Sequence, residues 1–191
     1  MANTYRTIYR NADGLNLFLG VGESYSGNAG EYDMPGAQRM IEVDIPDLTK
    51  LPVLSTTASQ ILDDTVWLPG AGSNTINQTG AFIEKIELIC KVTATGSSST
   101  LNIGVMNTDR ATAISSGDNG LLAAVPITNY LTAGDYNVWT VGAATNTYIG
   151  SLVGTTLTVD ALIVGSYSTA VFTAGAVAVR IWYSFITSAN T

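Results

Sequence analysis

Asp63 and Asp64 are the only adjacent carboxylates in the chain. A pair of acids is what glycoside cleavage or an oxygen-ligated cation requires. Consecutive residues of an extended chain point to opposite faces, and the nearest other acids are Asp47 and Glu84, so the pair reads as a solvated turn. Asp118-Asn119-Gly120 opens like a calcium loop but lacks the further acidic ligands and the closing Glu; it reads as a tight turn. There is no histidine, which removes the commonest general base, the Ser-His and Cys-His nucleophile pairs and the commonest transition-metal ligand. The single cysteine, Cys90, allows no thiolate zinc site, redox pair or internal disulfide and reads as a small buried hydrophobe. Gly20-Val21-Gly22 is not a phosphate loop, because no Lys-Ser or Lys-Thr follows at the required spacing. These readings assign no catalytic residue, no cofactor and no metal, and the expectation is a protein that is not an enzyme.

Trp67, Trp139 and Trp182 could stack on sugar rings, but the high average burial of tryptophan favours packing inside the fold. Trp182 stands apart: it alternates with the apolar stripe Val177, Val179, Ile181, Tyr183 and Phe185 and lies beside Arg180. If that alternate face is the outside, the ring is exposed or capped by another group.

The elements that would position these residues are strands. Ile86, Leu88, Cys90 and Val92 alternate with Glu87, Ile89 and Lys91, and Leu101, Ile103 and Val105 alternate with Asn102 and Gly104; period two marks half-buried strands. The turn Gly96-Ser97-Ser98-Ser99 between them suggests a hairpin. Phe82 and Ile83, adjacent apolar residues followed by Glu84, suggest a bulge or an edge position. A similar alternation runs over 157–163, closed by Gly165, and over 177–185, with shorter strands expected near 64–68, 121–125, 136–141 and 148–152. No long window shows a 3.6-residue period. The fold class is therefore all-β, an antiparallel β-sandwich, jelly-roll-like, with an extended N-terminal arm, and a closed barrel is the second architecture these strands allow. The boundary falls near Thr57, giving an arm over 1–56 and a sandwich over 57–191. Gly and Pro interrupt the arm repeatedly, yet Tyr5, Ile8, Tyr9, Leu15, Leu17, Phe18 and Leu19 are too apolar for a solvated tail. These residues, with Trp182, are the expected protein interface.

Charged residues make up 12% of the chain, about half the usual share, and the net charge is −7. No Lys or Arg occurs between Ala111 and Val179. A phosphate backbone finds little to hold here, so no direct nucleic-acid binding is expected. No apolar run approaches the length of a membrane span, and residues 1–6 lack the apolar core of a secretory signal; no membrane association is expected, and synthesis in a cytoplasm is.

The run Leu62-Asp63-Asp64-Thr65-Val66-Trp67-Leu68-Pro69, then Gly80-Ala81-Phe82-Ile83-Glu84-Lys85-Ile86-Glu87-Leu88, then Ser99-Thr100-Leu101-Asn102-Ile103-Gly104-Val105 resembles the capsid decoration (cement) proteins of tailed bacteriophages. Phe172-Thr173-Ala174-Gly175-Ala176-Val177-Ala178-Val179 is similar to the opening of their last strand. The resemblance covers 60–187. It implies a noncatalytic β-sandwich, made in the host bacterial cytoplasm and carried on the capsid exterior of the virion. Its partners would be the major capsid protein, whose capsomer junctions it stabilises, and copies of itself, commonly as a trimer. The alternative is a tail or fibre component that binds a host-surface glycan through Trp182 or a tyrosine-bearing loop such as Tyr130 to Tyr136. An enzyme working through carboxylates alone would need two acids facing each other about 5 to 9.5 Å apart.

Overall fold

The computed structural model describes residues 8–10, 16–18, 38–54, 60–71, 78–110, 114, 117–142 and 147–187. Its strands, in chain order, are β1 (Ile8–Arg10), β2 (Asn16–Phe18), β3 (Arg39–Ile45), β4 (Gln60–Ile61), β5 (Trp67–Leu68), β6 (Gln78–Gly96), β7 (Thr100–Asn107), β8 (Leu122–Pro126), β9 (Tyr136–Thr140), β10 (Ala161–Ser168) and β11 (Phe172–Thr187). One α-helical turn, α1 (Ile127–Tyr130), and two short 3-10 turns complete the regular structure. β1 and β2 form a sheet of their own. The remaining strands make two antiparallel sheets ordered β3-β11-β6-β9 and β4-β10-β7-β8, with β5 also on β10. The fold is the all-β antiparallel sandwich that the alternation predicts.

The two longest strands, β6 and β11, pair from Phe172 opposite Gly96 to Thr187 opposite Gln78 and form the spine of the first sheet. Their pairing slips by one residue between Trp182 opposite Lys85 and Tyr183 opposite Ile83, which leaves Glu84 as the extra residue of a bulge. Inward side chains of both sheets meet in one continuous core. Ile86, Leu88, Val177, Val179 and Ile181 come from the first sheet and Leu101, Ile103, Val105, Leu122 and Ile163 from the second. Each large side chain buried there contributes about 1.5 to 3 kcal/mol.

The expected hairpin of β6 and β7 does not form. The Gly96–Ser99 turn carries the chain from the first sheet to the second, so β7 pairs with β10 and β8 instead. Crossing the core lets the two apolar stripes bury each other; alternation specifies which face is apolar, not which strand lies alongside. Ser99 Oγ donates to the Val171 carbonyl at 2.9 Å and ties this turn to the start of β11.

Three further expectations need correction. β10 begins only at Ala161, because 157–160 form a loop fixed by the Asp160 carboxylate, which accepts the Gly70 N–H at 2.7 Å. Gly165 does not end β10; the side chains of Leu62 and Leu51 occupy the space a Cβ would take, at 2.8 and 3.0 Å, and the strand runs on to Ser168. Residues 148–152 form a turn that meets the sheet at a single bridge, Ile149 to Leu122, rather than a strand.

β3 lies inside the segment that sequence assigned to the arm, yet it pairs with β11 from Arg39 opposite Tyr183 to Ile45 opposite Val177. Val43, Ile45, Leu48 and Leu51 are buried in the core. The sandwich therefore takes in 39–54, because Pro46 stands just beyond the strand and interrupts no pairing. Positions 1–7, 11–15, 19–37 and 55–56 of the expected arm lie outside the described residues.

Candidate interaction surface

The inward positions of β11 are odd-numbered through its central stretch, so Ala178, Arg180 and Trp182 face outward. Register then sets three rows across the outer face of the first sheet. Met40, Trp182, Lys85 and Thr140 form one; Glu42, Arg180, Glu87 and Val138 the next; Asp44, Ala178, Ile89 and Tyr136 the third. An outward sheet face is usually solvated, but Glu87, at its centre, is only 3% exposed.

A buried carboxylate must be paired, and Glu87 is. Lys85 Nζ donates to its Oε1 at 2.9 Å, and Arg180 Nη1 stands 3.9 Å from Oε2. Arg180 is shared: its Nε donates to Glu42 at 2.5 Å. Lys85 Nζ also sits 4.2 Å from the centre of the Trp182 ring, a cation–π contact worth about 0.5 to 1 kcal/mol. Burial pushes the Glu87 carboxyl up, but hydrogen bonding from Lys85 and the nearby Trp182 and Tyr136 donors outweighs it and holds the group below the ordinary carboxylate range. The Trp182 Nε1–H is near enough to favour the ionised form, yet has no acceptor at full hydrogen-bonding geometry. Tyr136 shows the reciprocal effect, its phenol pushed up by burial and by the Glu87 carboxylate. Further along the face, Lys91 pairs with Asp44 at 2.5 Å.

The face is thus a mosaic of internally matched charges that fixes one indole, flanked by exposed Met40, Val138 and Tyr136. Internally paired charges leave little for a small ion to bind. Fixed aromatic, Arg and Met side chains are the types enriched at protein interfaces.

The other sequence candidates fall elsewhere. Ile8 and Tyr9 lie on β1 opposite Phe18 and Leu17 on β2, whereas Tyr5, Leu15 and Leu19 lie outside the described residues. Of the three tryptophans only Trp139 is core, its ring centre 5.7 Å from that of Tyr130 and tilted by 46° to it. Trp67 is 46% exposed, which corrects the packing expectation: β5 is two residues long, and Trp67 takes its outward position. Tyr130, packed on both Trp139 and Tyr148, is not a free stacking platform. The carboxylates weighed for chemistry have structural work. Asp63 Oδ1 closes a turn by accepting the Thr65 N–H and hydroxyl, and Asp64 pairs with Arg110 at 3.1 Å. Cys90 is buried, and burial pushes its thiol up. Among the described residues no group of three or more His, Cys, Asp and Glu side chains is placed to hold a metal, and no helix is long and apolar enough to cross a membrane.

No protein-family model, curated protein or solved structure matches the chain.

The surface rests on its own geometry, and sequence reasoning saw two residues of it, Trp182 as an interface residue and Tyr136 as a glycan contact in the alternative reading. Glu87, Lys85 and Arg180 were missed. The available signal was two outward pairs at i and i+2, Lys85 with Glu87 and Arg180 with Trp182, which become one cluster only when β6 and β11 are paired at the correct register.

Proposed function

We propose that this chain is a noncatalytic bacteriophage capsid decoration protein that binds the outside of the head and stabilises capsomer junctions. The observation that carries the reading is the outer face of the first sheet, where a half-buried tryptophan is held by Lys85 over a neutralised network on a rigid sheet. Such a face suits repeated, shape-dependent docking on protein, in which many copies share the binding energy. The segments that carry the resemblance fall on strands: 62–69 leads into and through β5, 80–88 lies in β6, 99–105 opens β7 and 172–179 opens β11. The order β3-β11-β6-β9 over β4-β10-β7-β8 is compatible with an eight-strand jelly roll. Structural use of Asp47, Asp63, Asp64 and Asp160 supports a noncatalytic role.

Two changes test it with isolated capsids. Trp182→Ala should weaken attachment by at least about 2 kcal/mol and leave far-UV circular dichroism unchanged. Deleting residues 1–20 should weaken attachment or self-association without altering the unfolding of the sandwich, since no strand from β3 onward is removed. Unchanged binding isotherms for both variants would overturn the proposal.

A second reading is favoured by a different observation. An open cleft of about 460 Å³ is lined by Ala71, Asn107, Thr108, Asp109, Thr158, Val159 and Asp160, and β5 leads into it with exposed Trp67. The lining hydroxyls and carboxylates suit a glycan on a tail or fibre component, and exposed Trp67, on the strand that leads toward Ala71, would supply the stacking ring. A glycan-array signal abolished by Trp67→Ala, together with no capsid binding, would select this reading.

A further inference from the structure

A sandwich has open edges, and natural sheets blunt them with charge, proline, bulges or short strands. Three of the four edges here are blunted. β3 carries Arg39, Glu42 and Asp44 and is followed by Pro46. β4 is two residues long. β8 has Ala124 at φ +54°, a register shift against β7, and Pro126, which lacks an N–H, at its end.

β9 has none of these devices. Tyr136-Asn137-Val138-Trp139-Thr140 contains no charge, proline or glycine, and Val141 extends it. Among the described strands it pairs with β6 alone. Tyr136, Val138 and Val141 are 54%, 41% and 47% exposed. Backbone direction follows from the ladder. Val141 N–H donates to the Glu84 carbonyl at 3.2 Å, and Cys90 N–H donates to that of Asp135 at 2.9 Å. Antiparallel bonds alternate, so odd-numbered residues of β9 turn their backbone groups toward β6. The N–H and C=O of Tyr136 and Val138 therefore point off the sheet edge.

We propose that this edge pairs with β9 of a second copy, antiparallel about a two-fold axis at Asn137. In that register Tyr136 exchanges both backbone bonds with the partner's Val138, and Val138 with the partner's Tyr136. On the outer face each pairing sets an aromatic ring against a β-branched side chain, a favourable cross-strand combination. The occupant is a copy of the same chain for two reasons. A strand without charge meets itself without repulsion, and the sequence Tyr-Asn-Val is complementary to itself about its middle residue. Asn137 is fixed at the axis, its Nδ2 donating to the Tyr130 carbonyl at 3.2 Å. The contact is isologous and closes at two copies, leaving the charged β3 edges at the two ends of one continuous sheet. Closure explains why β9 can do without protection while the other edges cannot. It also makes the contact distinct from the three-fold assembly that the family resemblance implies, and independent of whether the partner surface is a capsid.

The test is sedimentation equilibrium of the purified full chain over a wide concentration range, with amide hydrogen exchange at both ends of that range. The expected result is a monomer–dimer equilibrium in which the amides of Tyr136 and Val138 gain protection as the dimer forms. Val138→Lys puts a charge on the edge, in an exposed position opposite Glu87 on β6, and should abolish the dimer while keeping the circular dichroism of the folded chain. Val138→Pro removes the outward N–H and no bond to β6, and should do the same. A wild-type chain that stays monomeric throughout would overturn the inference. So would an oligomer that survives Val138→Lys with Tyr136 and Val138 amides exchanging as freely as in the monomer.

Discussion

Replacing Gly80 by alanine should destabilise the fold by at least about 3 kcal/mol, the upper end of what single substitutions usually cost. Gly80 lies in β6 with φ +53°, a conformation that costs an L-residue roughly 1 to 2 kcal/mol. A Cβ there would fall 2.0 Å from the Leu157 carbonyl oxygen and 2.7 Å from the Ala71 nitrogen, both backbone atoms that cannot swing aside. They are held by hydrogen bonds that cross at this point: Ala81 N–H to Pro69, Leu157 N–H to Ala81 and Ala71 N–H to Leu157. Gly134 is the control. Its φ is +93° but nothing lies within 4 Å of its would-be Cβ, so Gly134→Ala should cost only the conformational part, about 1 to 2 kcal/mol. Denaturant unfolding of the two variants separates the terms, and equal losses would mean that the crossing at Gly80 relaxes freely. The Gly-Ala-Phe-Ile opening that carries part of the resemblance thus has a packing reason of its own.

The parts of this fold legible in sequence are those set by local alternation. Ile86, Leu88, Cys90, Val177, Val179 and Ile181 announce their inward face by period two and are buried, but Val92, read in the same stripe, is 53% exposed, because the pairing slips between Val177 opposite Cys90 and Ala176 opposite Val92. The bulge beside Phe82 and Ile83 was legible because two adjacent apolar residues cannot both keep the pleat. Pairing was not legible. The Gly-Ser turn after β6 suits a hairpin or a crossing between sheets, and burial of both apolar stripes across the core decided for the crossing. β3 was hidden for a related reason: Glu42, Asp44 and Pro46 make an edge strand resemble a loop. The candidate surface depends on pairing even more. Glu87 reads as an ordinary solvated glutamate until register places it between Lys85, Arg180, Trp182 and Tyr136, brought together from β6, β9 and β11.

Losing the Glu87 side chain tests that surface most directly. Glu87→Ala should lower the unfolding free energy by about 1 to 3 kcal/mol, because Lys85 loses its acceptor and the centre of the face loses its neutralising charge. Asp44→Ala, at the exposed pair with Lys91, should change it by less than about 1 kcal/mol. The pH dependence has a definite sign. Glu87 is held below its ordinary value in the folded chain, so the folded state binds fewer protons than the unfolded state as the carboxyl titrates. Its contribution is complete above the unfolded carboxylate value of about 4.3 and is lost as pH falls through the lower, folded value. Comparing wild type with Glu87→Gln, which keeps the shape and removes the charge, isolates this effect. The stability gap between them should be steady near neutrality and close in acid. A gap independent of pH would show that Lys85 and Arg180 do not hold the carboxylate. Lys85 bridges Glu87 and the Trp182 ring, so the same protonation should loosen the indole, and attachment through this face should weaken over the same acid range.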